Sequence, residues 1–177
     1  MSLTLLTGGA RSGKSSVAVR RALRWEQDGR PVVFVATGEA GDDEMAARIA
    51  LHRDERPGHW RTVEAPVDLV QAVTALEPGC VVIIDCLALW VSNLMGHGHD
   101  EPATLARARE LAGWAAAYGG EVVVVTNEVG SGIVPMHPVS RDYRDRLGRV
   151  NAVLSSRAHL AQLVVAGRTL TLDPMEE

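Results

Sequence analysis

The chain has 177 residues, of which 46% are hydrophobic and only 4% aromatic, with a formal net charge of −4 and a pI near 5.9. That length predicts one domain, and the composition predicts an aliphatic core of Val, Leu, Ile and Ala. The acidic balance excludes a general nucleic-acid binder, whose domain is normally basic, and no apolar run approaches the roughly 20 residues of a membrane span. Cys80 and Cys86 form no C-x-x-C pair and read as small hydrophobes flanking a strand. With no signal-peptide pattern, the expected setting is a reducing cytoplasm.

Residues 3–7 (LTLLT) read as a short buried strand that stops at glycines. Residues 13–27 follow with helical spacing that puts Val17, Ala18, Ala22 and Trp25 on one face. Residues 31–36 (PVVFVA) read as a second buried strand. Residues 42–54 read as a helix whose acidic start suits the positive end of the helix dipole. Residues 61–64 predict a short strand, and residues 66–76 a helix with Pro66 in its first turn. A third buried strand, 80–85 (CVVIID), leads to a helix over 87–95, a polar loop over 96–102 (GHGHDEP) and an Ala-rich helix over 104–118. A fourth buried strand, 121–126 (EVVVVT), is followed by a long helix over 139–160. Terminal strands over 163–166 and 170–172 read as a hairpin through Gly167-Arg168.

Continuous β-branched runs alternating with helices predict an α/β fold: a mostly parallel sheet with helices on both faces, in a single domain over 1–177. Ligands of such sheets sit at the carboxyl ends of the strands. The candidate motifs do follow strands: Gly8 after the first, Thr37 after the second, Asp85 closing the third and Asn127-Glu128 after the fourth.

Gly8, Gly9, Ala10, Arg11, Ser12, Gly13, Lys14 and Ser15 spell G-x-x-x-x-G-K-S between a predicted strand and a predicted helix. This is the P-loop signature, and the fold class it predicts is a RecA-like P-loop NTPase. Its glycines let successive backbone N–H groups point at phosphate oxygens, and the following helix adds its dipole. Lys14 supplies a point charge to the β- and γ-phosphates, and Ser15 offers its hydroxyl to Mg²⁺. Asp85, a carboxylate closing an apolar strand, fits a second magnesium partner; the competing reading is a cap for the next helix.

Residues 42–60 hold three arginines, two histidines and five carboxylates. Arg48 and His52 are four apart and share a helical face, and Arg53 and Arg56 follow at once. Guanidiniums around a largely neutral imidazole suit a polyphosphate and a nitrogen nucleophile. A charged, solvated helix with an incidental histidine accounts for the same residues.

Over nearly its whole length the chain resembles the adenosylcobinamide kinase / adenosylcobinamide-phosphate guanylyltransferase family. The resemblance rests on Thr7 to Ser15, Ala36-Thr37, Asp42-Asp43-Glu44-Met45 with Arg48-Ile49, His52-Arg53, Arg56-Pro57 and Trp60-Arg61-Thr62 with Glu64. It continues through Asp85-Cys86-Leu87, Asn93-Leu94, Thr126-Asn127-Glu128-Val129-Gly130 and Gly132-Ile133-Val134-Pro135. Arg141, Tyr143-Arg144-Asp145 and Gly148-Arg149-Val150-Asn151 complete it. It implies an enzyme that phosphorylates adenosylcobinamide with ATP or GTP. The same enzyme then transfers GMP from GTP through a guanylyl-histidine, giving adenosylcobinamide-GDP and pyrophosphate. The histidine at the matching position is His52. The resemblance also implies a guanine nucleotide site lined by Thr37, Gly38, Arg53, Asp54, Glu55, Arg56, Glu64 and Asp85, and a homotrimer.

Two other readings of the residues stay open: an ordinary small-molecule P-loop kinase, and a non-catalytic nucleotide-dependent switch. His97 and His99 belong to a Gly-rich polar loop, and His59, His137 and His159 carry no motif.

Overall fold

The computed structural model describes residues 2–41, 43, 53 and 56–174. The chain order is β1 (Ser2–Thr7), α1 (Lys14–Gln27), β2 (Val32–Ala36), β3 (Arg61–Glu64), α2 (Leu69–Thr74), β4 (Val81–Asp85) and α3 (Leu87–Gly96). It continues with α4 (Glu101–Ala117), β5 (Glu121–Val125), α5 (Pro138–Ser155), β6 (Leu160–Val165) and β7 (Arg168–Leu172). The strands form one sheet in the order β3-β2-β4-β5-β1-β6-β7, parallel throughout except for β7 against β6. This is the expected α/β architecture. The P-loop strand β1 is separated from the Asp85 strand β4 by β5.

The apolar runs are continuous because both faces of the sheet are covered. Alternate residues go to opposite faces. Val82, Ile84, Val122 and Val124 pack in a large core with residues of α2, α3, α4 and α5, including Trp90, Leu111 and Leu147. Val81, Ile83, Val123 and Val125 pack in a second core with Val17, Ala18 and Ala22 of α1. Trp90 is fully buried and its indole N–H donates to the carbonyl of Val67 at 3.0 Å.

Several element ends differ from the sequence expectation, each for a local reason. The helix expected from Pro66 begins only at Leu69. The carbonyls of Pro66 and Val67 accept instead from Asn93 and Trp90, so they are not available to open a helix. The Ala-rich helix starts three residues earlier than expected, at Glu101, because the Asp100 carboxylate caps it at Ala103 N–H and Pro102 fits its first turn. The long helix stops at Ser155 rather than near 160, since β6 begins at Leu160, paired with Thr4 of β1. The terminal turn is Ala166-Gly167, both at positive φ, and Arg168 already pairs with Val165. Except for Asp43 and Arg53, the helix expected over 42–54 lies outside the described residues.

Truncating Trp90 removes the largest fully buried side chain and its hydrogen bond together. Trp90→Ala should cost about 3–5 kcal/mol and lower the thermal midpoint by roughly 10 °C. A calorimetric scan beside the wild type checks this.

Candidate active site

Strand register sets the site. Leu6 of β1 pairs with Val125 of β5, Val125 with Asp85 of β4, Asp85 with Ala36 of β2, and Ala36 with Glu64 of β3. The five strands therefore end in one row, and the loops that follow them open on the same edge. Beyond the row, Thr126 N–H donates to Leu6 O at 2.9 Å and Glu128 N–H to Gly8 O at 3.1 Å.

The P-loop joins β1 to α1, as expected. Gly8 has φ +153° and lies against β6: a Cβ there would meet the Val164 carbonyl oxygen at 2.3 Å. Gly13, at φ +97°, is the N-cap of α1. That helix has no side-chain cap and no acid in its first turn, so its free N–H groups and dipole face the loop. The hairpin tip braces the loop from outside, with Gly167 N–H donating to Ser12 O at 2.8 Å. Lys14 is buried beneath it. Its Nζ donates to Gly8 O at 2.9 Å and Gly9 O at 2.6 Å, and Ser12 Oγ lies at 3.4 Å. Burial lowers the Lys14 pKa, against the opposing pull of Cys86 and Asp85.

Ser15 and Asp85 line one cleft of about 350 Å³, together with Val19, Arg20, Phe34 and Arg56. The Arg56 guanidinium stacks over the Phe34 ring, 3.8 Å from its centroid. Burial lowers its pKa, Asp85 and Glu64 act to raise it, and Arg53 acts to lower it further. Arg56 thus stands within electrostatic reach of Asp85, Glu64 and Arg53, while remaining charged at any ordinary pH. A hydroxyl and a carboxylate facing one cleft are hard oxygen donors. They fit a magnesium ion that takes its other ligands from phosphate and water.

Thr37 is fully buried, and its hydroxyl donates to Cys86 O at 2.7 Å and accepts from Cys86 N–H at 2.8 Å. It ties the end of β2 to the turn after Asp85. Gly38 follows it, half-buried. Asn93 of α3 donates to Thr37 O at 2.8 Å and to Pro66 O at 2.9 Å, which holds the exits of β2 and β3 together. Asn151 of α5 does the same for β5: it accepts from Thr126 Oγ1 at 2.7 Å and donates to Asn127 O at 3.0 Å. Burial pushes the Cys86 thiol up to about 12, so it is no nucleophile at neutral pH.

Glu128 turns into its own loop and accepts from Gly130 N–H, Ser131 N–H and Ser131 Oγ. The Ser131 hydrogen bond is the main cause of its lowered pKa. Arg149 pairs with Glu101 on α4. Glu64 and Arg53 are exposed. His52, Asp54 and Glu55 lie outside the described residues. Sequence reasoning missed Phe34, because nothing in an apolar strand signals that its last aromatic will support an arginine 22 positions later.

The family model described as CobU, cobinamide kinase / cobinamide phosphate guanyltransferase, matches residues 4–172. The chain belongs to this family. It is 40% identical over 170 residues to the bifunctional adenosylcobalamin biosynthesis protein CobP of Pseudomonas aeruginosa, covering 95% of each chain. It is 42% identical over 178 residues to the protein of Escherichia coli called bifunctional adenosylcobalamin biosynthesis protein CobU, covering 93% of this chain and 96% of that one. The CobU protein of Salmonella typhimurium is 41% identical with the same coverage. Family membership and the P-loop geometry together make the chain a nucleotide-using transferase, and among the described residues no helix is long and apolar enough to cross a membrane.

The Gly8 contact gives a sharp stability test. Gly8→Ala should lose about 2–3 kcal/mol, because its methyl group meets a backbone oxygen that cannot withdraw. Gly9→Ala, with nothing within 4 Å of the new atom, should change stability by less than about 0.5 kcal/mol. Urea titration of the two variants reads the difference.

Proposed function

We propose that this chain phosphorylates the free hydroxyl of adenosylcobinamide with ATP or GTP, and then transfers GMP from GTP to that phosphate through a guanylyl-His52 intermediate. The observation that carries this reading is the meeting of P-loop, Ser15, Asp85 and Arg56 at one cleft, in a chain of the cobinamide kinase / guanyltransferase family.

In the kinase step the amides of residues 8–15 hold the β- and γ-phosphates, and Lys14 moves from the loop carbonyls to their oxygens. The acceptor oxygen forms a bond to the γ-phosphorus, the bond to the bridging oxygen breaks, and the nucleoside diphosphate leaves. Ser15 and Asp85 would hold Mg²⁺, which supplies neutralisation of phosphate charge. In the second step a ring nitrogen of His52 bonds to the α-phosphorus of GTP, and the α–β bridge breaks to release pyrophosphate. The phosphate oxygen of the acceptor then displaces the histidine, forming the diphosphate of adenosylcobinamide-GDP. The same cradle thus serves a leaving pyrophosphate in one step and a transferred phosphoryl group in the other. Thr37, Gly38, Arg53, Asp54, Glu55, Arg56, Glu64 and Asp85 form the guanine nucleotide site in this reading. Arg56 is charged, partly desolvated and set on Phe34, and so suited to phosphate. The family resemblance adds a homotrimer and a cytoplasmic setting, and the two free cysteines suit the latter.

With Mg²⁺ and α-³²P-GTP, the wild-type protein should take up label that is lost in acid and kept in base. His52→Ala should take up none while still phosphorylating adenosylcobinamide from ATP. Label retained in His52→Ala would place the intermediate elsewhere. A wild type that phosphorylates cobinamide but never labels would leave a plain kinase. Asp85→Asn should slow both half-reactions by roughly tenfold or more and raise the Mg²⁺ concentration each requires, because a metal ligand is lost. Magnesium titrations of the two rates check this.

A further inference from the structure

The loop between β5 and α5 is built inside out. Its entrance is held by the Glu128 carboxylate, which accepts from Gly130 and Ser131. Its exit is held by Arg141, whose Nη1 donates to the carbonyls of Pro135 at 2.9 Å and Met136 at 2.8 Å. Between these clamps the apolar side chains face outward: Ile133 is 97% exposed, Met136 91% and Val134 61%, with Val139 of α5 beside them. Clustered exposure of this kind on a loop whose polar groups are internally bonded marks a surface for a ligand or partner. The only other exposed large hydrophobics among the described residues, Val165, Leu170 and Leu172, belong to the β6–β7 hairpin at the sheet edge.

The position of the loop says which occupant fits. Glu128 N–H bonds Gly8 O, so the loop springs from the rim of the P-loop itself. The cleft beside the P-loop, lined by Ser15, Val19, Arg20, Phe34, Arg56 and Asp85, brings charged and hydroxyl groups suited to a triphosphate and its metal. An acceptor carrying a corrin macrocycle, with methyl-studded faces, needs apolar surface within reach of the phosphates, and the described residues offer it here.

We propose that Ile133, Val134 and Met136 form the docking surface for the corrin ring of the acceptor, held at the mouth of the P-loop by Glu128 and Arg141. This rests on the cobinamide kinase and guanylyltransferase reading above. Glu128 and Arg141 are positioning residues, and the three apolar side chains set acceptor affinity.

The test compares wild type with the double variant Ile133→Ser/Met136→Ser, both sites being almost fully exposed so that folding is unaffected. Three quantities are measured: the KM and kcat for adenosylcobinamide in the ATP-driven step, self-labelling from α-³²P-GTP, and the native mass by light scattering. The expected result is a KM for adenosylcobinamide raised at least about tenfold, as for the loss of two apolar side-chain contacts, with kcat, labelling and native mass unchanged. Ile133→Leu/Met136→Leu should restore the KM. An unchanged KM overturns the proposal. A changed native mass also overturns it, and makes the loop an interface between copies of this chain. A wild type that labels from GTP yet does not use adenosylcobinamide removes the acceptor reading, and this proposal with it; a wild type that turns over cobinamide without labelling leaves the docking test intact.

Discussion

The site depends on the common register of five parallel strands. Because Leu6, Val125, Asp85, Ala36 and Glu64 stand in one hydrogen-bonded row, every loop that leaves the row begins at the same height. A shift of one residue in β2, β4 or β5 would exchange its two apolar faces between the two cores, exposing neither to water but mismatching both packings. The two cores therefore hold the register, and the register holds the chemistry. Gly8 shows how little slack remains, since its backbone lies where even a methyl group would meet the Val164 carbonyl.

Above the row, polar side chains, one buried and two half-buried, carry the strand order into the loops. Thr37, Asn93 and Asn151 each bond backbone groups on segments distant in sequence: the turn after Asp85, the exit of β3 and the exit of β5. None of the three needs to touch a substrate to matter. A buried backbone group left without its partner costs on the order of 1–3 kcal/mol, so each of these side chains fixes a loop that would otherwise relax toward solvent.

The charges at the site are arranged for a ligand richer in negative charge than any protein group present. Lys14 and Arg56 are both partly desolvated, which weakens their hold on protons and strengthens their interaction with an incoming phosphate. Asp85 opposes that desolvation at both cations, together with Cys86 at Lys14 and Glu64 at Arg56.

By itself the sequence determined the class of the fold, the position of the P-loop and which strands carry motifs. These follow from local patterns, namely unbroken β-branched runs, helical spacing and a glycine signature, whose physical causes act within a few residues. The family was legible too, because its motifs are spread along nearly the whole chain. Only the tertiary structure decided the roles of individual side chains. Thr37 bonds the turn after Asp85 with its buried hydroxyl, and Glu128 closes its own loop. Phe34 is an ordinary strand aromatic until Arg56 rests on it. The exposure of Ile133 and Met136 runs against the usual burial of such residues and no periodicity signals it. In each case the deciding contact joins segments remote in the chain, and which segments meet is set by strand order and register, quantities that no local pattern encodes.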